Sequence, residues 1–243
     1  MSAPDAARIA AVVVVARGRE ELPRALERAA WADERVVLDP ADRAAGVQLP
    51  AHVVRIVDPG ALDRAVSAPW VVLLGEDEVL DDRGVRAVRG AIGHAGGEAL
   101  ALGVMTRTLA LELASAPSIL VAPRGTPIVV QRGAAVGFDG RGLRVRRIDA
   151  SVVRERGHTL TTALEILDGD AATAAALADR SGRTGRGVVW RSAAAMVRVL
   201  LARSPAGPLG LGRWVLAVLD GYRVVVSQAK LWERRRDHPV EVA

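Results

Sequence analysis

The feature that most narrows what this chain can fold into is an alternation of dense apolar runs with short stretches of helical spacing. Residues 9–15 are apolar at every position and rich in valine, as a strand buried on both faces requires. Residues 20–30 then place Leu22, Leu26 and Ala30 on one helical face. Residues 35–38 predict a second strand, ending at Asp39-Pro40. Residues 53–57 predict a third, ending at Asp58-Pro59-Gly60, with a short helix over 61–66. Residues 70–74 predict a fourth, closed by Gly75-Glu76-Asp77-Glu78, after which Asp81 or Asp82 caps a helix reaching Ile92. Strands that alternate with helices predict a parallel, doubly wound sheet, in which ligands bind beyond the carboxyl ends of the strands. Asp39, Asp58 and the acidic cluster 76–78 all fall at such ends.

The middle of the chain has a different texture. Segments 99–107, 118–121, 128–131 and 143–148 are strand-like but separated by Pro and Gly, which predicts a less regular, antiparallel addition to the sheet. From Leu160 onward the spacing is helical, with predicted helices over 161–178, 188–202 and 211–235. Gly182-Arg183-Thr184-Gly185-Arg186-Gly187 superficially suggests a phosphate loop, but it follows no strand and reads as a linker.

Composition excludes several classes of function. The chain has no cysteine, so disulfides and thiolate metal sites are impossible, and a reducing compartment is expected. His52, His94, His158 and His238 lack metal-ligand spacing, and no Gly-x-Ser-x-Gly elbow occurs. The net charge is +5. Its arginines are scattered and aromatics make up only 3%, so nucleic-acid binding is not expected. No leader or spanning segment is expected, because residues 9–16 are too short and no apolar run approaches the length of a bilayer crossing.

The acidic cluster Glu76-Asp77-Glu78 is the sharpest chemical feature. Carboxylates at the end of a buried strand must be solvated, paired or bound to a cation, and a hard divalent cation takes oxygen ligands of this kind. A solvated loop that caps the next helix is the competing expectation. The last predicted helix raises a second pair of alternatives. Trp214, Val215, Val218, Leu219, Tyr222, Val225, Val226, Ala229 and Trp232 follow helical spacing. Arg213, Asp220, Arg223 and Lys230 forbid a span, and Arg234, Arg235 and Arg236 close the segment. Either this helix packs on the body of the protein, or it lies on anionic lipid.

The order of these motifs resembles family-2, GT-A-type glycosyltransferases, and more narrowly the bacterial lipopolysaccharide core-biosynthesis subgroup. The likeness is carried by Trp31-Ala32-Asp33-Glu34 before Val36-Val37-Leu38-Asp39, and by Trp70-Val71-Val72-Leu73-Leu74 before Gly75-Glu76-Asp77-Glu78. Leu219-Asp220-Gly221-Tyr222 and Ala229-Lys230-Leu231-Trp232-Glu233 carry it at the far end. Some motifs are eroded. Pro40-Ala41-Asp42 stands where the family has Ser-Gly-Ser-Thr-Asp, Gly75 replaces the first carboxylate of Asp-Ala-Asp-Glu, and Arg17-Gly18 lies where an asparagine is usual.

The resemblance implies a GT-A-like, Rossmann-like, mostly parallel sheet with flanking helices and a C-terminal helical tail. Residues 1–155 would form the nucleotide-sugar-binding and acceptor region, and residues 156–243 a helical region able to meet a membrane interface. The implied reaction is sugar transfer from a nucleotide-sugar donor to an envelope or lipid-linked glycan. Asp39 and Glu76 would contact the nucleotide, and Asp77 would ligate Mg²⁺ or Mn²⁺. Asp139 and Asp149 are candidates for the general base, and Gly75→Asp is expected to strengthen the metal site. The implied place is the cytoplasm, peripheral on the inner membrane. The alternative is a non-catalytic GT-A-like scaffold that binds a partner enzyme or a membrane surface.

Overall fold

A computed structural model of the chain describes residues 8–16, 21–108, 111–130, 136–155, 159–180 and 210–237. The expected linker over 182–187 and the expected helix over 188–202 lie outside the described residues, as do His158 and His238.

The first apolar run becomes β1 (Ile9–Val14), which is buried at every position. It pairs in parallel with β2 (Glu34–Leu38) on one side and with β4 (Trp70–Gly75) on the other, and β3 (Val53–Ile56) extends the sheet beyond β2. Alternate residues of β1 face opposite layers. Ala11, Val13 and Val15 pack with Leu22, Ala25 and Leu26 of α1 (Leu22–Arg28). Ala10, Val12 and Val14 pack with Ile56, Leu62 and Phe138. Asp58 caps a 3₁₀ turn (Pro59–Ala61) that leads into the short α2 (Leu62–Ala65), so this carboxylate is a turn residue. Asp81 caps α3 (Asp82–Ile92) by accepting from the Gly84 N–H at 2.7 Å. Val85, Val88 and Ile92 of α3 close a further core layer with Leu74, Leu100 and Leu102.

The second half of the sheet is mixed, and β5 (Glu78–Leu80) is one of its strands. The eight-stranded order is β3-β2-β1-β4-β7-β6-β10-β5, with β6 (Ala99–Thr108), β7 (Leu111–Pro123) and β10 (Val145–Glu155). β8 (Ile128–Val130) and β9 (Val136–Phe138) form a separate antiparallel pair. The chain is thus an α/β protein with a mixed eight-stranded sheet, flanking helices and a helical C-terminal piece. The antiparallel addition expected for the middle is present in the β4–β7 and β6–β7 pairs, but segment 143–148 enters β10, which runs parallel to β6, and Ile128–Val130 pairs outside the main sheet.

One topological fact shapes everything after it. β4 lies inside the sheet and β5 at its end, yet only Glu76 and Asp77 separate them in sequence. Three Cα steps cover at most about 11 Å. The sheet therefore has to curl until its last strand returns to the carboxyl end of β4. The Gly75 N–H donates to Glu78 Oε2 at 2.8 Å, and the Glu155 N–H to the Asp77 carbonyl at 2.9 Å, which pins the curl.

Two helices complete the described structure, α4 (Leu160–Arg180) and α5 (Gly210–Asp237), which pack against each other. α4 sits directly on the carboxyl end of β1. Thr173 Oγ1 donates to the Val15 carbonyl at 2.7 Å. A Cβ placed on Gly169 would lie 2.4 Å from the Ala16 carbonyl oxygen. Backbone stands on both sides of that contact, so neither partner can rotate away. Gly169→Ala is therefore expected to destabilise the fold by roughly 1–3 kcal/mol through overpacking, although Ala is the better helix former. Urea denaturation measures it, and a variant at least as stable as wild type would show that α4 does not dock this closely.

Candidate functional site

The parallel register puts the sequence-predicted carboxylates on one edge. Val14 is aligned with Leu38 on one side and with Gly75 on the other. Asp39 and the turn Glu76-Asp77 therefore leave the same row of the sheet, two strand spacings or about 10 Å apart. The nucleotide-site expectation needs this placement.

Asp39 is fully buried, and its carboxylate is fully engaged within the fold. Oδ1 accepts from the Arg43 N–H at 2.9 Å. Oδ2 accepts from the Ala44 N–H at 2.8 Å and from Arg55 Nε and Nη2 at 3.1 and 2.7 Å. Hydrogen bonding to Asp39 holds the Arg55 guanidinium above its ordinary pKa, against the opposing effect of burial. Asp39 thus closes the turn after β2, where four donors already surround its two oxygens.

The cluster 76–78 is not the solvated loop that competed with the metal reading. Glu76, Asp77 and Glu78 are all buried, because the curl brings β10 over them. The Glu76 N–H continues the β1 ladder by donating to the Val14 carbonyl at 3.2 Å. Asp77 and Glu78, but not Glu76, line a small cavity of about 50 Å³ at the carboxyl ends of β1 and β4. Gly75 lies in its wall. A Cβ there would come 2.7 Å from Asp77 Oδ1, so Gly75→Asp requires the Asp77 carboxylate to shift.

The opposite wall comes from residues that sequence reasoning missed. Arg154 reaches in from β10, and its Nε donates to Glu78 Oε1 at 2.7 Å while Nη2 contacts the same oxygen. Burial alone would lower the pKa of this guanidinium, but the charges of Glu78, Asp77 and Asp170 outweigh that and hold it above its ordinary value. Asp170 and Thr173 enter from α4 and Arg223 from α5, with Arg223 Nη1 3.4 Å from Asp170 Oδ2. Lys230 and Asp168 link the same two helices at 2.7 Å, and Arg43 reaches Asp168 at 3.7 Å from the turn that Asp39 closes. A buried charge facing the sheet is the one signal that could have marked Arg223. In sequence it reads only as a residue that forbids a membrane span.

Asp139 and Asp149 do not reach the cavity. Asp139 holds the exposed Arg141, with Nη2 at 2.6 Å, in the bend after β9. Asp149 lies where the β10 register shifts, with its side chain 99% exposed and paired only loosely with Arg83 at 3.2 Å. Neither lines the cavity at the strand ends.

The site also fits a divalent cation poorly. Glu78 spends one oxygen on the Gly75 N–H and the other on Arg154. The cavity's three carboxylates, Asp77, Glu78 and Asp170, already face two guanidiniums, Arg154 and Arg223. Among the described residues no group of three or more His, Cys, Asp or Glu could hold a metal ion.

No family model matches the sequence, and no curated protein matches it. Solved structures match the chain at low similarity. One is S. aureus TarS, residues 1–349, in complex with UDP, at 10% identity over 97% of this chain and 93% of that one, with a TM-score of 0.43. The same protein in complex with UDP-GlcNAc matches at 10% identity over 94% and 85%, with a TM-score of 0.41. A mycobacterial protein matches at 19% identity over 74% and 77%, with a TM-score of 0.35.

Proposed function

We propose that this chain is a glycosyltransferase-like protein that receives a nucleotide-sugar donor at the shared carboxyl edge of β1, β2 and β4 and serves an envelope or lipid-linked glycan, as the lipopolysaccharide core enzymes do. The observation that carries this reading is the register that brings Asp39 and Asp77 to one edge of the parallel sheet, with a charged cavity between the sheet and the C-terminal helices. On this reading residues 1–155 are the donor and acceptor region, and α4 and α5 cover the donor. Arg154, held between Glu78 and Asp77, faces the donor diphosphate, while Asp39 shapes the turn beside it.

Size sets a condition on the reading. Ligand pockets typically enclose ~300–1,000 Å³, far above this cavity's 50 Å³. Donor entry therefore requires α4 and α5 to withdraw from the strand ends, parting the Thr173–Val15 contact. The same closure favours a second reading, a non-catalytic GT-A-like scaffold in which the helices are a permanent part of the core. Nucleotide binding separates the two. With UDP, UDP-GlcNAc or GDP at ~100 times Kd, the donor reading predicts stabilisation of about 2.7 kcal/mol, visible as a rise in melting temperature that Arg154→Met removes. No rise with any of the three would leave the scaffold.

The acceptor side of the proposal rests on α5. Its inner face, with Leu219, Arg223, Val224, Ser227 and Leu231, is buried. Val218, Tyr222, Val225 and Trp232 form an exposed stripe on the opposite face, with the Arg236 guanidinium 5.5 Å from the Trp232 ring centre. No described helix is long and apolar enough to cross a membrane. An apolar stripe ending in arginines suits the surface of an anionic bilayer. Co-sedimentation with phosphatidylglycerol vesicles is expected, weakened by salt and by Trp232→Ala with Arg236→Glu. Equal recovery with phosphatidylcholine vesicles would remove the lipid surface from the proposal.

A further inference from the structure

The acidic turn after β4 is where the resemblance calls for a divalent cation, and its surroundings supply a fixed organic cation instead. We infer that Arg154 stands in for that metal ion: delivered from β10 onto the β4 turn, its guanidinium balances Glu78 and Asp77, keeps Mg²⁺ and Mn²⁺ out, and leaves the site to work without a metal. The exclusion of metal stands on this cavity alone. Only the consequence that Arg154 meets a donor diphosphate rests on the donor reading.

Three observations converge on it. First, Arg154 is built into the site. Its side chain is only 18% exposed, and its β10 neighbour Val153 pairs with Val79 of β5, so the strand that carries it is stitched to the strand that carries Glu78. Second, it uses the coordination that a metal would need. Nε and Nη2 both converge on Glu78 Oε1, and Glu78 Oε2 is taken by the Gly75 N–H. Third, the charges of the cavity are nearly matched, with Asp77, Glu78 and Asp170 opposite Arg154 and Arg223. A dication placed among Asp77 and Asp170 would sit beside guanidiniums that stay protonated at any working pH. A planar guanidinium can meet phosphate oxygens through two N–H groups, the contact for which arginine is suited. The substitution of Gly75 for a carboxylate fits the same logic, since a site that needs no metal needs fewer ligands.

The test begins with Mn²⁺ alone, without nucleotide, titrated into the full chain and followed by electron paramagnetic resonance. Wild type is expected to bind no Mn²⁺ at the β4 turn. Arg154→Met, which leaves the carboxylates and removes the guanidinium, is expected to gain Mn²⁺ affinity by about ten-fold or more. Arg154→Lys keeps the charge and should behave as wild type, and it decides the matter if the methionine variant does not fold. Mn²⁺ binding by wild type that Asp77→Ala abolishes would overturn the inference. So would a folded Arg154→Met variant with no gain, or an Arg154→Lys variant that binds Mn²⁺ tightly. A second measurement compares the UDP-induced melting shift in Mn²⁺ with that in EDTA. Equal shifts support the inference, and a shift seen only with Mn²⁺ overturns it. No UDP shift in either condition defeats the donor reading alone, and the Mn²⁺ titration still judges Arg154.

Discussion

The arrangement at the strand ends depends on the ion pair between Arg154 and Glu78. Glu78 is the first residue of an edge strand, Arg154 lies near the end of a strand 76 residues further along the chain, and the sheet must curl for them to meet. Once curled, the sheet encloses carboxylates that would be costly to bury alone. Removing one member of a buried pair commonly costs ~3–5 kcal/mol because the partner is left uncompensated. The pair therefore ties together two demands: the curl exposes Glu78 to a low-dielectric interior, and Arg154 makes that burial tolerable. α4 and α5 add a second layer of the same kind, with Asp170 on one helix facing Arg223 on the other and both lining the cavity that Arg154 enters.

This arrangement changes what the acidic motif means. In a run such as Gly75-Glu76-Asp77-Glu78, spacing alone points either to metal ligands or to solvated helix-capping charges. The cluster is buried and not a solvated loop, and Glu78 has both of its oxygens engaged. Glu78 is a structural hinge that receives the Gly75 N–H and the Arg154 guanidinium, and Asp77 faces a cavity already supplied with positive charge. Asp39, at the neighbouring strand end, has a comparable position. It is a buried acceptor for two backbone N–H groups and Arg55, and so keeps the β2–β3 turn in shape. Both carboxylates sit where a ligand-binding edge is expected, and both also hold the chain together.

The parallel half of the fold was legible because its signals are local. Residues 9–15 are uniformly apolar, β2 and β4 repeat the pattern, and Asp81 announces α3. Hydrophobic runs bounded by turn residues suffice to order β1 to β4. β5 and β9 were not legible, since three-residue strands are set by their partners and not by their own pattern. The site was half legible for the same reason. Asp39 and Asp77 follow strands and could be placed by counting, whereas Arg154, Asp170, Thr173 and Arg223 arrive through the curl of the sheet and the docking of α4. Gly169 and the alanines around it permit that docking, yet in sequence they read only as compositional bias.

A double-mutant cycle at Glu78 and Arg154 tests most directly whether this ion pair fixes the curled sheet and the closed strand edge. Glu78→Gln, Arg154→Met and the double variant would each be compared with wild type by urea denaturation. The account predicts strong non-additivity, with a coupling of about 1–3 kcal/mol, because each single change strands a buried charge while the double change removes both. Single effects that simply add, within ~0.5 kcal/mol, would mean that the two groups do not depend on each other, and the account of the site built on them would fail.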